Sequence, residues 1–319
     1  MIFIGVILAM YKKIDIFTHI LPPKYAEKYA SINPQVTKRV EYFTLPVVDL
    51  DVREKLMTNY PDVVQVVTMA NIPLEKFAPE HSAELAYMGN EELAELVQRR
   101  PDLFFGAVAI LPMNDVDASL KEIDHAINEL HLAGIQVQTR IGTEWLASEK
   151  YRPILARMAE LNRPIWIHPD NNEQIDFDIG IFSWPFETTH CMLRLVQSGI
   201  FNEFPDIKFI VHHAGAMVPF FKERIKYVMS LVPQPFHNIH EHFKKFYVDT
   251  AIYGNTDGLM CAYNYYGADR MFFGTDAPLG PRWGMVEDTI RSIERMTIPE
   301  EDKEKILRLN AVDLFKNVV

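Results

Sequence analysis

Short apolar runs alternate with amphipathic stretches along almost the whole chain. The runs are Ile14–His19, Val63–Met69, Phe104–Leu111, Gly134–Thr139, Pro164–His168, Ile207–His212, Lys245–Thr250 and Arg270–Gly274. Each has the length of a strand. Their near-continuous Val, Ile and Phe content is that of strands covered on both faces. Helical stretches are predicted between them: 51–59, 79–100 (stopped by Pro101), 115–132, 151–161, 186–198 (ended by Gly199) and 300–317. Asp51, with Glu54 three residues on, resembles a capping box. Strands alternating with helices imply βα units and a parallel sheet, and right-handed crossovers let eight such units close on themselves. The expected fold is therefore α/β, a (β/α)8 TIM barrel of parallel strands with a loop excursion over residues 20–50 after strand one. Neither a repeat nor a linker divides the chain. A single barrel domain is expected over residues 13–319, preceded by an N-terminal extension over residues 1–12.

Composition narrows the picture. With 319 residues, 48% hydrophobic and 24% charged, the chain can bury a large core. A net charge of −11 argues against a nucleic-acid partner, which would need a basic face. The apolar segment Met1–Met10 is shorter than the roughly 20 residues that span a bilayer, and it lacks the basic flank and cleavage site of a secretory signal. No membrane role is expected. Cys191 and Cys261 are too few for a disulfide framework and show no metal-ligand spacing, which points to a reducing, cytoplasmic compartment.

The chemistry gathers where the apolar runs stop. Strand one ends at His19, strand five at His168, strand six at His212-His213 and strand eight at Asp276. In a parallel barrel the C-terminal ends of the strands converge on one mouth, where active sites are built. Imidazole nitrogen and carboxylate oxygen are donors for zinc and related divalent ions, and a catalytic ion keeps a position open. A lone histidine at a strand end is commonly a packing residue. Four polar groups on four different strands are much harder to explain that way. Strand alternation predicts that the side chain of His212 points opposite to that of His213, in a structural role.

Several segments together resemble the amidohydrolase superfamily, and within it the branch of aminocarboxymuconate semialdehyde decarboxylase and gamma-resorcylate decarboxylase. They are Lys13–Pro22, Ile167-His168-Pro169, Glu187-Thr188-Thr189, Gly199–Lys208, His213–Ala216 with Pro219-Phe220, Phe246–Thr250, Gly274–Gly280, and Asn310-Ala311 with Leu314-Phe315. The resemblance implies a divalent metal, zinc or manganese, held by His19, His168 and Asp276. It also implies an acid/base role for His213, helped by Asp276. The family's first motif is His-x-His or Glu-x-His, whereas this chain has Phe17-Thr18-His19. Phenylalanine cannot bind metal, so a metal-free site stays open as an alternative. Phe17 and Trp184 are candidate pocket residues. Arg53 reads as an ordinary helix residue, and the excursion offers no match to the family's carboxylate-binding arginine. Arg140 and Arg282 are candidate anion contacts. Family members are commonly dimers, so a homodimer is expected.

The function expected is nonoxidative decarboxylation of a small aromatic or unsaturated carboxylate. Loss of carbon dioxide leaves charge on carbon, which an electrophile must stabilise and an acid must quench. The alternative is a metal-dependent hydrolase or hydratase on the same scaffold, with Asp276 as base. A third reading, a binding protein without catalysis, rests on Phe17 alone.

Overall fold

The computed structural model describes residues 13–32, 45–70, 74–170, 179–233 and 239–316. The expected extension over residues 1–12 and part of the 20–50 excursion fall outside these. Among the described residues, no helix is long and apolar enough to cross a membrane.

Seven parallel strands run in chain order: β1 (Lys13–Ile20), β2 (Val63–Met69), β3 (Phe104–Ala107, continued by Ala109–Ile110), β4 (Ile135–Gln138), β5 (Ile165–His168), β6 (Phe209–Val211) and β7 (Tyr247–Val248). Each pairs with the next, from Lys13 opposite Val63 round to Val248 opposite Val211. The eighth stave is irregular. It carries one bridge, Val248 to Met271, and then closes the ring through backbone bonds. Ile16 N donates to Phe273 O at 2.9 Å, Asp276 N to Phe17 O at 3.0 Å and His19 N to Ala277 O at 2.7 Å. The result is the (β/α)8 TIM barrel.

Two layers of apolar side chains hold it. Inside the ring, Ile14, Ile16, Phe17, Val64, Val66, Phe105, Val108, Trp166, Ile210 and Phe272 pack together. Trp166 fills the bore, and its indole N–H donates to Ile16 O at 3.1 Å, which satisfies that ring's one donor. At the floor Phe315 from the last helix meets Phe105 edge to face. The larger layer lies between strands and helices.

Boundaries depart from the sequence expectation in ways that matter for the site. β6 stops at Val211 and β7 at Val248, so His212 and Asp249 lie beyond regular strand. The helix predicted over 51–59 is Leu50–Met57, and its cap is Asp49 instead of Asp51. Asp49 is extended (φ −116°, ψ 108°) and its carboxylate accepts from Val52 N at 3.1 Å. Asp51 sits inside the first turn, where its charge faces the helix dipole and makes no cap. The helix expected over 115–132 is α-helical only over Val116–Asp124 and then widens into a π turn, His125–Glu129.

Candidate active site

β1 delivers His19, fully buried, to the barrel mouth. The Thr68 hydroxyl on the neighbouring strand donates to Thr18 O at 3.0 Å. Its single proton is therefore used, and it must accept from His19 Nδ1, also 3.0 Å away. That leaves His19 with a proton on Nδ1 and a free Nε2. β5 ends in His168, whose Nδ1 lies 2.8 Å from Pro169 O, an acceptor only, so the same tautomer follows. Asp276 stands across the mouth with φ +67°, held there by the Asp276 N to Phe17 O closure bond. Its Oδ1 is 2.9 Å from His19 Nε2 and 3.2 Å from His212 Nε2.

His212 does not turn away from His213 as strand alternation predicts. The two rings stack, with centroids 4.1 Å apart and planes 26° apart. The reason lies in the backbone. The strand has ended, and His213, Ala214 and Ala216 all take positive φ (59°, 56° and 54°), so the period of two no longer applies. Gly215 shares this left-handed run at φ 77°, and a Cβ there would fall 2.5 Å from the Tyr266 hydroxyl. His212 faces the barrel axis. Its Nδ1 bonds Asp249 in a very short contact, and its ring stacks on Phe17 at 3.9 Å and 21°.

Asp249, the buried residue after β7, is a site residue that sequence reasoning did not single out. Its Oδ1 accepts from Ala214 N at 3.1 Å and Ala251 N at 3.0 Å, which fixes the carboxylate under His212. The signal was available: it is one more carboxylate directly following an apolar run. Gly274 is required here, since a Cβ would fall 2.8 Å from that of Asp249 and 3.3 Å from that of Phe17.

The structure thus brings His19, His168, His213, Asp276 and Phe17 around one mouth, with His212 and Asp249 added. Phe17 is fully buried, its ring against His212 and within 6.2 Å of His168. Trp184 opens the helix Trp184–Gln197. Its ring lies 6.2 Å from His168 and 6.3 Å from His213, nearly parallel to the latter (10°). The same helix is tied to the His213 turn by Met217 N, which donates to Thr189 Oγ1 at 3.1 Å. Arg140 lies 3.4 Å from buried Glu187 and 3.5 Å from Asp170, near this rim. Arg282 is a surface residue paired with Asp288. Arg53 is no ordinary helix residue: it is buried and reaches beneath β1 to donate to His19 O at 2.6 Å.

The electrostatics are those of one anion pair among four imidazoles. Burial works against a charge on His212, but Asp249 and Asp276 outweigh it and hold its pKa up at about 10. Burial, reinforced by His212, pushes His213 down to about 4. His168 is driven well below its ordinary value by burial and by the neighbouring His19 and His212. Burial alone would raise Asp276, yet His212 and His19 keep its carboxyl well below the usual range.

These groups fit a divalent cation. One ring nitrogen each of His19, His168 and His212 lies within 4.8 Å of the others, and His212, His213 and Asp276 form a second such group. Ligands of one zinc ion at about 2.1 Å sit at most about 4.2 Å apart, so a small inward movement suffices. His19 Nε2 is buried and has no aligned hydrogen-bond partner, although Asp276 is near. A buried ring nitrogen and a carboxylate oxygen set this close are placed to share a cation.

A family model described as amidohydrolase matches residues 15–316. The chain is 29% identical over 333 residues to gamma-resorcylate decarboxylase of Rhizobium radiobacter, covering 96% of this chain and 99% of that one. It is 26% identical over 320 residues to 6-methylsalicylic acid decarboxylase of Penicillium expansum, covering 95% and 96%. The crystal structure of 2,6-dihydroxybenzoate decarboxylase complexed with 2,6-dihydroxybenzoate superposes with a TM-score of 0.79 at 27% identity, covering 96% of this chain and 100% of that one.

Proposed function

This chain belongs to the amidohydrolase family, and we propose that it is a metal-dependent nonoxidative decarboxylase, a carbon–carbon lyase acting on an aromatic or unsaturated carboxylate. The observation that carries this reading is the placement of His213. Its imidazole stacks on His212 beside the His/Asp cluster, and the ring of Trp184 runs nearly parallel to it with centroids 6.3 Å apart. A flat substrate entering here meets an apolar aromatic wall, a proton carrier and the cluster together.

The ligands in this reading are His19, His168 and Asp276. A divalent ion bound by them supplies positive charge against the substrate's oxygens. Imidazole-rich surroundings favour zinc, with manganese the second choice. The remaining work falls to the protein. Burial keeps water from the reacting carbon. The bond between ring carbon and carboxylate breaks, its electron pair stays on the ring carbon, and the proton that replaces carbon dioxide passes through His213. The hydrolytic alternative, in which Asp276 takes a proton from water, is less favoured because the relatives that match nearly the whole chain are decarboxylases.

The reading includes a single domain over residues 13–319, supported by the ring closed from β1 to the 271–277 stave and by the last helix on its floor. It also includes a cytoplasmic location, for which the two free cysteines are the support. A homodimer is part of it too: Phe182, Phe220 and Leu231 are exposed apolar side chains that a partner would cover.

The test is carbon dioxide release from 2,6-dihydroxybenzoate, 6-methylsalicylate and related aromatic acids by protein supplied with zinc or manganese. Hydrolysis of amides or lactones without any carbon dioxide release would refute the proposal. In the active enzyme, His213→Ala should lower turnover by about 10² to 10⁴ while leaving metal content and circular dichroism unchanged. Full activity in that variant would remove His213 from the proton path.

A further inference from the structure

We propose that His212 is a further ligand of the metal centre. It supplies, from the end of β6, the imidazole that strand one lacks at Phe17. The proposal rests on the metal-dependent reading above and goes beyond it in the ligand set.

Two features of His212 match both histidines already assigned, and a third matches His19. It is buried at the mouth, and one of its ring nitrogens lies within 4.8 Å of one from His19 and one from His168. Like them, it spends Nδ1 on an acceptor of the protein: Thr68 Oγ1 for His19, Pro169 O for His168 and Asp249 for His212. A metal-binding histidine is usually oriented in this way, its second nitrogen donating to a carboxylate or carbonyl while the first faces the ion. Its other nitrogen, Nε2, lies 3.2 Å from Asp276 Oδ1, the same oxygen that His19 Nε2 approaches at 2.9 Å. Two imidazole nitrogens turned toward one carboxylate oxygen outline a shared position for a cation.

Phe17 then gains a physical role. Its ring is fully buried and stacks on His212 at 3.9 Å. It contributes no donor atom, but it fixes the plane of the imidazole that does. Asp249, anchored by Ala214 N and Ala251 N, fixes the direction of the same ring. The competing role for His212 is that of a cation paired with Asp249 and Asp276, binding no metal.

The two roles are separable without turnover. We would label histidine with ¹⁵N, load the intact protein with ¹¹³Cd and count the imidazole nitrogens split by coupling to the metal. Three split signals are expected, one of which vanishes in His212→Asn. Two split signals in the wild type, both surviving in His212→Asn, would overturn the proposal and leave the metal-dependent reading standing. No metal uptake at all would overturn both. In parallel, zinc competition against a chelator should show affinity lowered about 100-fold or more in His212→Asn, the upper end of what losing even an orienting partner costs. His213→Ala should bind zinc like the wild type. Because the coupling count is read first on the wild type, a variant that folds poorly does not decide the outcome.

Discussion

Asp276→Ala is expected to abolish both metal retention and turnover while leaving the barrel folded. Asp276 is the anion on which the cluster converges: His19 Nε2 and His212 Nε2 both approach its Oδ1. Without it, the only carboxylate left beside the imidazoles is Asp249, which is engaged by His212, Ala214 N and Ala251 N, and a doubly charged cation loses the ligand that compensates it best. Metal stabilisation of developing charge is worth several kcal/mol, and about 4 kcal/mol is already near 10³ in rate. Turnover should therefore fall at least 10³-fold. Folding should survive, because the backbone bonds that close the ring at this stave involve Ile16, His19 and the main chain of Asp276, none of which alanine removes. The measurement is elemental analysis after dialysis, with carbon dioxide release and circular dichroism on the same sample. Asp276→Asn is the companion variant, since it keeps the shape and removes the charge. About one equivalent of metal and near-normal turnover in Asp276→Ala would show that the ion sits elsewhere.

The residues that sequence reasoning located share one property. His19, His168 and Asp276 each lie at or within two residues of the end of an apolar run, so recognising the strand also placed the residue at its C-terminal end. The count of eight staves was legible for the same reason, even though the last one carries, among the described residues, a single bridge, at Met271. What the sequence concealed was set by local backbone conformation. His212 was assigned to the wrong face because alternation was carried one residue past Val211, into a segment where His213 is left-handed. Two adjacent histidines in a regular strand point apart; at a strand end followed by positive φ they stack. Asp49 and Asp51 are equally good caps by composition, and only the extended φ of Asp49 separates them. The substrate is hidden for a different reason. Specificity depends on loop side chains that no periodicity encodes.

Arg53 is the residue whose replacement should cost the fold most. On sequence it is one charged position among several in a short helix, and nothing in the 3.6-residue period marks it as buried. Its guanidinium donates to His19 O at 2.6 Å, Thr18 Oγ1 and Gln65 Oε1 at 3.0 Å each, and Pro46 O at 3.4 Å. It thereby ties the helix Leu50–Met57 to β1, to β2 and to the segment before the helix. Burial lowers its pKa to about 10, which still leaves it charged at neutral pH. Arg53→Met keeps much of the volume and removes every donor. Each buried acceptor left unpaired costs about 1–3 kcal/mol, and breaking a buried charged network typically costs about 3–5 kcal/mol in all. Against a native stability of about 5–15 kcal/mol this is a large fraction. Arg53→Lys should recover little, because one ammonium cannot span acceptors arranged for a planar fork. Urea unfolding followed by circular dichroism measures the effect, and the midpoint should fall sharply for both variants at similar slope. Since Arg53 holds the carbonyl of His19, zinc affinity should also drop in any Arg53→Met protein that stays folded. A midpoint equal to that of the wild type would mean that the network is dispensable and that water satisfies the same acceptors.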